Sequence, residues 1–175
     1  KIAAIVPQQR NVAHRMIEEA MLLANTCAAR FIADAKIPGI YRIHEQPEIE
    51  KLQDLRKFLH GFSLRLGGGD KPHAKDYAKL LERIAKRDDA HLLQTVLLRS
   101  MQRAVYSPED KGHFALSFPA YTHFTSPIRR YPDLMVHRMI KSILKIKAGS
   151  HSYALADIQS LSDHMSMTER RADLA

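Results

Sequence analysis

The stretch from Tyr121 to Arg138, YTHFTSPIRRYPDLMVHR, holds most of the side chains in this sequence that could do chemistry together. Tyr121, Phe124 and Tyr131 offer flat faces, and Thr125 and Ser126 offer hydroxyls. Arg129 and Arg130 set two guanidiniums side by side at a chain reversal flanked by Pro127 and Pro132. A guanidinium fork matches the oxygens of a phosphate, and aromatic rings stack on nucleobases whatever their identity. The combination predicts a phosphate-handling surface. Between Tyr121 and Gly149 the cations are Arg129, Arg130, Arg138, Lys141, Lys145 and Lys147, against Asp133 as the only acid. Arg130, His137 or Arg138, Lys141 and Lys145 recur every three to four residues, which makes one positive stripe along a helix. Charge gathered on one face is the footprint of a polyanionic partner. Asp133 falls in that helix's first turn, where its charge suits the helix dipole.

Elsewhere the chemistry thins out. The ten histidines are dispersed, and His44-Glu45 is not followed by the second histidine of a helical zinc motif. Gly67-Gly68-Gly69 lacks the spacing of a phosphate-binding loop and reads as a mobile linker. Cys27 is the single cysteine, so it forms no intramolecular disulfide and fits a reducing compartment; its place on an apolar helix stripe predicts a small buried hydrophobe. By spacing alone Glu18 and Glu19 are solvated carboxylates, and Glu169-Arg170-Arg171 is an exposed helical cluster. Arg99 and Arg103 read as surface charges.

These groups need elements to position them. Asn11 to Ala35 predicts a long helix with Val12, Met16, Leu23, Cys27 and Phe31 on one stripe, broadened by Ile17, Ala20, Ala24, Ala28 and Ile32. So wide a face implies burial on more than one side. Lys1 to Val6 reads as a short strand, and Ile40 to Glu45 as another after the Ile37-Pro38-Gly39 turn. Helices follow from Pro47 to about His60, from Tyr77 to Lys86, and from an Asp88 cap through Tyr106. His113 to Phe118 alternates, and with Tyr121 to Thr125 suggests an extended, hairpin-like pair delivering the arginine turn. Pro132 to about Lys147 is a helix, as is Tyr153 to Leu174, capped from Ser150 to Ser152. The fold class is α+β and predominantly helical, with a few short antiparallel strands.

At 175 residues the chain is one domain's worth. Its 45% hydrophobic and 26% charged fractions are those of an ordinary globular protein. The net charge of +8 and pI near 9.7 favour a polyanion as partner. No apolar run approaches bilayer-spanning length, so no membrane partner is expected and a cytoplasmic location is.

The Tyr121 to Arg138 run resembles the signature of the ribonuclease II/ribonuclease R family of processive 3′-to-5′ exoribonucleases. His14 to Phe31, Tyr41 to Pro47 (YRIHEQP) and Ser166 to Asp173 (SMTERRAD) are similar to three further segments of that family's catalytic domain, in the same order. The resemblance implies that residues 1–175 are the C-terminal portion of such a catalytic (RNB) domain, cut at both ends. It implies a parent that hydrolyses single-stranded RNA to nucleoside 5′-monophosphates with Mg²⁺. Arg129 would be the catalytic arginine facing the scissile phosphate, and Arg130 an RNA or structural contact. Glu169 would touch the terminal nucleotide, and Glu18 would lie on the RNA path. Tyr121 and His123 either line the RNA channel or pack in the core.

One departure matters. The family holds its magnesium with clustered aspartates upstream of the His14 helix, and the only adjacent aspartates here are Asp88-Asp89. These residues alone are therefore expected to bind no metal, to need the upstream part of the same domain as a partner, and to be inert. The alternative is a nonenzymatic RNA-binding module using the same arginines.

Overall fold

The computed structural model describes residues 10–174, and the strand expected at Lys1 to Val6 lies outside them. In chain order the elements are α1 (Val12–Asp34), β1 (Tyr41–Ile43), α2 (Ile49–Gly61), α3 (Ala74–Ile84), α4 (Ala90–Ser100), β2 (Val105–Ser107), α5 (Tyr131–Ile143) and α6 (Leu155–Asp173). The class is α+β and mainly helical. β1 and β2 form a two-stranded antiparallel sheet in the register Tyr41 to Ser107, Arg42 to Tyr106 and Ile43 to Val105. Among the described residues no helix is long and apolar enough to cross a membrane.

Two hydrophobic cores organise these elements. The body core takes Ala28, Ala29 and Ile32 from α1, Ile43 from β1, Met135, Val136 and Met139 from α5, and Ile158 and Met165 from α6. Gly39 is needed here, because a Cβ at that position would lie 2.7 Å from the Ile32 side chain. The second core joins α2, α3 and α4 through Leu52, Leu55, Leu59, Leu80, Ile84, Leu93 and Leu97. Leu64 and Leu66, just before the glycine run read as mobile, are buried in it, so the approach to that run is anchored.

The sequence misleads in four places. The centre of the α1 stripe faces outward: Val12, Met16, Leu23 and Cys27 are exposed, while Ala28 and Ile32 from its broadened edge pack inward together with Asn25 and Ala29. Small residues let α1 approach α5 closely, which the bulky stripe would prevent. Cys27 is thus not the buried hydrophobe its stripe suggested. The α4 helix ends at Ser100, because Val105-Tyr106-Ser107 pairs with β1 instead of continuing it. The alternating run after His113 is a single 3-10 turn, Phe114–Leu116, stopped by Ser117 at φ +57°; only His113 and Phe118 bridge. Finally, α6 starts at Leu155 with no side-chain cap from the serines before it.

Candidate nucleic-acid interface

The arginine turn is built by one carboxylate. Asp133 sits in the first turn of α5 and is 0% exposed. Its Oδ1 accepts the Ser126 N–H at 2.7 Å and the Arg130 Nη2–H at 2.8 Å. The Ser126 carbonyl accepts the N–H of Arg130 at 3.0 Å, which closes the reversal, and Pro132 opens α5 where a missing N–H costs nothing. Asp133 therefore latches the turn, a larger role than complementing a dipole. With Arg130 held inward at 24% side-chain exposure, Ile128 and Arg129 form the exposed tip. Among the described residues Arg129 makes no ion pair or side-chain hydrogen bond. Three buried polar atoms surround the turn without partners: Thr125 Oγ1, Arg130 Nε and Asp133 Oδ2.

The extended segment before the turn is clamped from α1. Asn25 is buried, donates to the Tyr121 hydroxyl at 2.9 Å and accepts the Phe124 N–H at 2.9 Å. Thr122 Oγ1 donates to the Ile40 carbonyl, and the Tyr121 carbonyl accepts the Arg42 N–H at 2.8 Å. The Phe124 ring stacks on His137 with centroids 4.2 Å apart, and His137 Nε2 lies 2.9 Å from the Phe124 carbonyl. His137 is thereby taken out of the positive stripe. Arg138 points its guanidinium to the Tyr153 hydroxyl at 3.4 Å.

Of the two roles open to Tyr121, the structure shows the packed one: its ring is 5% exposed and lies between Phe118, His113 and His123. His123 is half-buried, with Nδ1 2.8 Å from the Tyr106 hydroxyl. Burial lowers its pKa to about 3, helped by the cations Arg130, Arg42 and Arg129. The ring is neutral near pH 7 and brings no charge to a phosphate. Burial likewise pushes the Tyr106 hydroxyl up to about 12, with Arg42, Glu169, Arg130 and Asp133 all acting on it. Its hydroxyl meets His123 and its ring carries the Arg42 guanidinium, so the two halves of the site meet at Tyr106.

The second half joins β1 to α6. Arg42 reaches both carboxylate oxygens of Glu169, at 2.7 and 3.0 Å, across 127 residues of sequence. Its guanidinium lies 4.6 Å from the Tyr106 ring centroid. Arg42 and Glu169 open onto a cavity of about 540 Å³ also lined by Arg99, Gln102, Arg103 and Arg170. Arg99 and Arg103 are thus part of a charged hollow rather than a plain surface. A larger cavity, about 910 Å³, is lined by neither Arg129 nor Glu169.

Glu18 stands apart. It is exposed on the first turns of α1 and ion-paired with Arg10, seven residues and about 10 Å along the helix axis from Asn25. The structure thus sets His123 on Tyr106, Tyr121 on His123 and Glu169 on the Arg42 that rests over Tyr106, holds Arg130 on Asp133, and leaves Glu18 on an ion pair of its own. Sequence reading missed Asn25, Arg42 and Tyr106. The signal for Arg42 was a charged residue at the centre of a three-residue strand, between two core positions.

The described residues do not fit a magnesium site. Among them no group of three or more His, Cys, Asp or Glu is placed to hold a metal ion. Two carboxylates of the site, Asp133 and Glu169, are each engaged by an arginine.

The RNB domain family matches residues 1–146. Ribonuclease R of Escherichia coli is 49% identical over 184 residues, covering 100% of this chain and 23% of that protein. Ribonuclease R of Aquifex aeolicus is 40% identical, covering 98% of the chain and 24% of its own length. The chain therefore spans about a quarter of the length of these relatives. A solved structure of Mycoplasma genitalium RNase R in complex with ribose methylated single-stranded RNA superposes with a TM-score of 0.80 at 27% identity, over 93% of this chain and 26% of that one. Yeast Ssd1, described as a pseudonuclease, superposes with a TM-score of 0.75 at 26% identity, over 90% of this chain and 20% of that one.

Proposed function

The chain belongs to the RNB domain family, and from that membership we propose that it is the C-terminal portion of the catalytic domain of a processive 3′-to-5′ exoribonuclease. The parent takes single-stranded RNA in the cytoplasm and releases nucleoside 5′-monophosphates. Arg129 is the catalytic residue these residues contribute: its guanidinium meets the phosphate whose charge builds up as the bond breaks. Arg130 holds the turn and adds positive potential behind it. Glu169 meets the terminal nucleotide, and Glu18 lies further out on the RNA path. The magnesium of the parent is held by the upstream aspartates of the same domain, so residues 1–175 alone are inert.

One observation carries this reading: an exposed arginine free of partners among the described residues, at the tip of a turn latched by a fully buried carboxylate. A salt-bridge arginine would be engaged, and a solubility arginine would not need a buried latch behind it. The M. genitalium RNase R structures, described in complex with single-stranded and double-stranded RNA, support RNA as the partner.

The test uses the full-length protein. Arg129→Ala is expected to slow single-turnover cleavage by about 10²-fold or more while weakening RNA binding far less. Equal losses in both would reduce Arg129 to an affinity contact. The purified 175-residue chain, given Mg²⁺ and single-stranded RNA, should release no mononucleotides, and steady release would overturn its inertness. A second reading, a nonenzymatic RNA-binding module, is favoured by the similarity to Ssd1. It predicts weak, salt-sensitive RNA binding by the full-length protein without cleavage.

A further inference from the structure

We infer that Arg42 is a positioning residue that fixes the Glu169 carboxylate against the terminal nucleotide, an inference that rests on the reading of Glu169 given above. Arg42 occupies the middle of β1, with Tyr41 and Ile43 turned into the core on either side. Its own freedom is removed three times over. Its N–H is bonded to the Tyr121 carbonyl at 2.8 Å, its strand partner is Tyr106, and its guanidinium rests on the Tyr106 ring. Only 13% of the side chain is exposed. From this fixed base the fork grips both oxygens of Glu169, so the carboxylate has one orientation rather than a rotamer distribution.

The helix bearing Glu169 is registered on the same ladder. Ser166 Oγ accepts the Tyr106 N–H at 3.0 Å, and Ser166 lies one turn before Glu169 on the same face of α6. Two adjacent contacts, one from each strand, therefore set both the height and the rotation of α6. Glu169 remains partly open, at 39% side-chain exposure, and faces the 540 Å³ cavity. A carboxylate has about four lone-pair sites. Arg42 occupies one on each oxygen and leaves the other on each for hydroxyl donors such as those of a terminal ribose. A lysine in place of Arg42 would present a point charge without the planar fork that fixes the carboxylate's direction. The packing on Tyr106 could be supplied by an apolar side chain as well, as replacements of part-buried ion pairs by apolar groups show. The fork is what orientation needs and what cohesion does not.

The experiment is a double-mutant cycle in the full-length protein with R42M, E169Q, R42M/E169Q and R42K, reading single-turnover cleavage of saturating single-stranded RNA, RNA Kd and Tm. R42M keeps the apolar contact with Tyr106 and is expected to slow cleavage about 10- to 100-fold, as E169Q does. The double variant should be no more than about twofold slower than the slower single. R42K, which keeps one hydrogen bond, should fall between R42M and the parent, and it carries the test if R42M does not fold. Multiplying losses in the double variant, R42K at the parent's rate, or R42M that lowers Tm but leaves the folded enzyme at full speed would each overturn the inference. R42M at full speed beside a slow E169Q overturns Arg42 alone. E169Q at full speed overturns the reading of Glu169 and the inference with it.

Discussion

In α2 to α4 the buried side chains are leucines with one isoleucine, one tyrosine and one serine, Ser100, which donates only to Leu97 of its own helix, and ion pairs such as Lys57–Asp54 and Arg87–Asp89 are local and on the surface. In the body formed by α1, β1, β2, α5 and α6, polar side chains are buried as well. Asn25, Thr122, Asp133 and Ser166 reach partners as far as 99 residues away in sequence. Leucine packing rewards any arrangement that fills space and excludes water, and it tolerates repacking. A buried hydrogen bond rewards one arrangement only, because a missed partner costs about 1–3 kcal/mol. The helical trio is thus held together, while the body is also held in register. The arginine turn and Glu169 are both mounted on the second kind of structure.

The largest effect that would test this contrast comes from Arg130→Met. It leaves the Asp133 carboxylate buried without its cation and should cost about 3–5 kcal/mol of stability. RNA affinity should fall with it, because the turn loses its latch. Urea melts and an RNA titration of the full-length protein measure both, and an unchanged affinity would break the link between polar register and site. Leu59→Ala, in the leucine core, should cost about 2–5 kcal/mol by leaving a cavity, yet leave RNA affinity and cleavage of the folded protein unaltered. A loss of cleavage there would show that the two regions are coupled.

Acid gives the third effect, the smallest when one ring is followed between pH 6.5 and 5. The folded-state pKa values of His123 and His113 are lowered to about 3 and about 4, chiefly by burial. Below their ordinary value near 6.5 the unfolded chain takes up protons that the folded rings refuse. Stability is therefore complete above about pH 6.5 and drains as the pH falls toward 4, by up to about 1.4 kcal/mol per pH unit for each ring. Both rings lie in the body. His123→Gln should flatten the slope between pH 6.5 and 5 in denaturation experiments, and an unchanged slope would mean that the ring is not held neutral.

The helices were legible because their apolar spacing is a local property. α1, α2 and α5 begin and end within about four residues of where the pattern puts them. The arginine turn was legible too, from two prolines bracketing two arginines. What the pattern could not supply is which side of a stripe faces inward. α1 carries large apolar side chains on one face and mostly small ones, with Ile32, on the other, and packing in the body selected the second. β2 was hidden for a related reason. Val105 to Ser107 follows a helical run without a break in hydropathy, and only its distant partner Tyr41–Ile43 makes it a strand. The partners of the site, Asn25, Arg42 and Tyr106, are contacts across 96, 127 and 17 residues that no local spacing announces. The exposure of Glu18, by contrast, is what its spacing alone predicts.

The latch under the arginine turn has a consequence for how fast a polyanion is captured. The turn is held by its own hydrogen bonds rather than by a partner, so encounter should need little rearrangement beyond the ordering of one long side chain. Capture should then follow collision and long-range attraction, with rates that track ionic strength rather than temperature-dependent loop ordering.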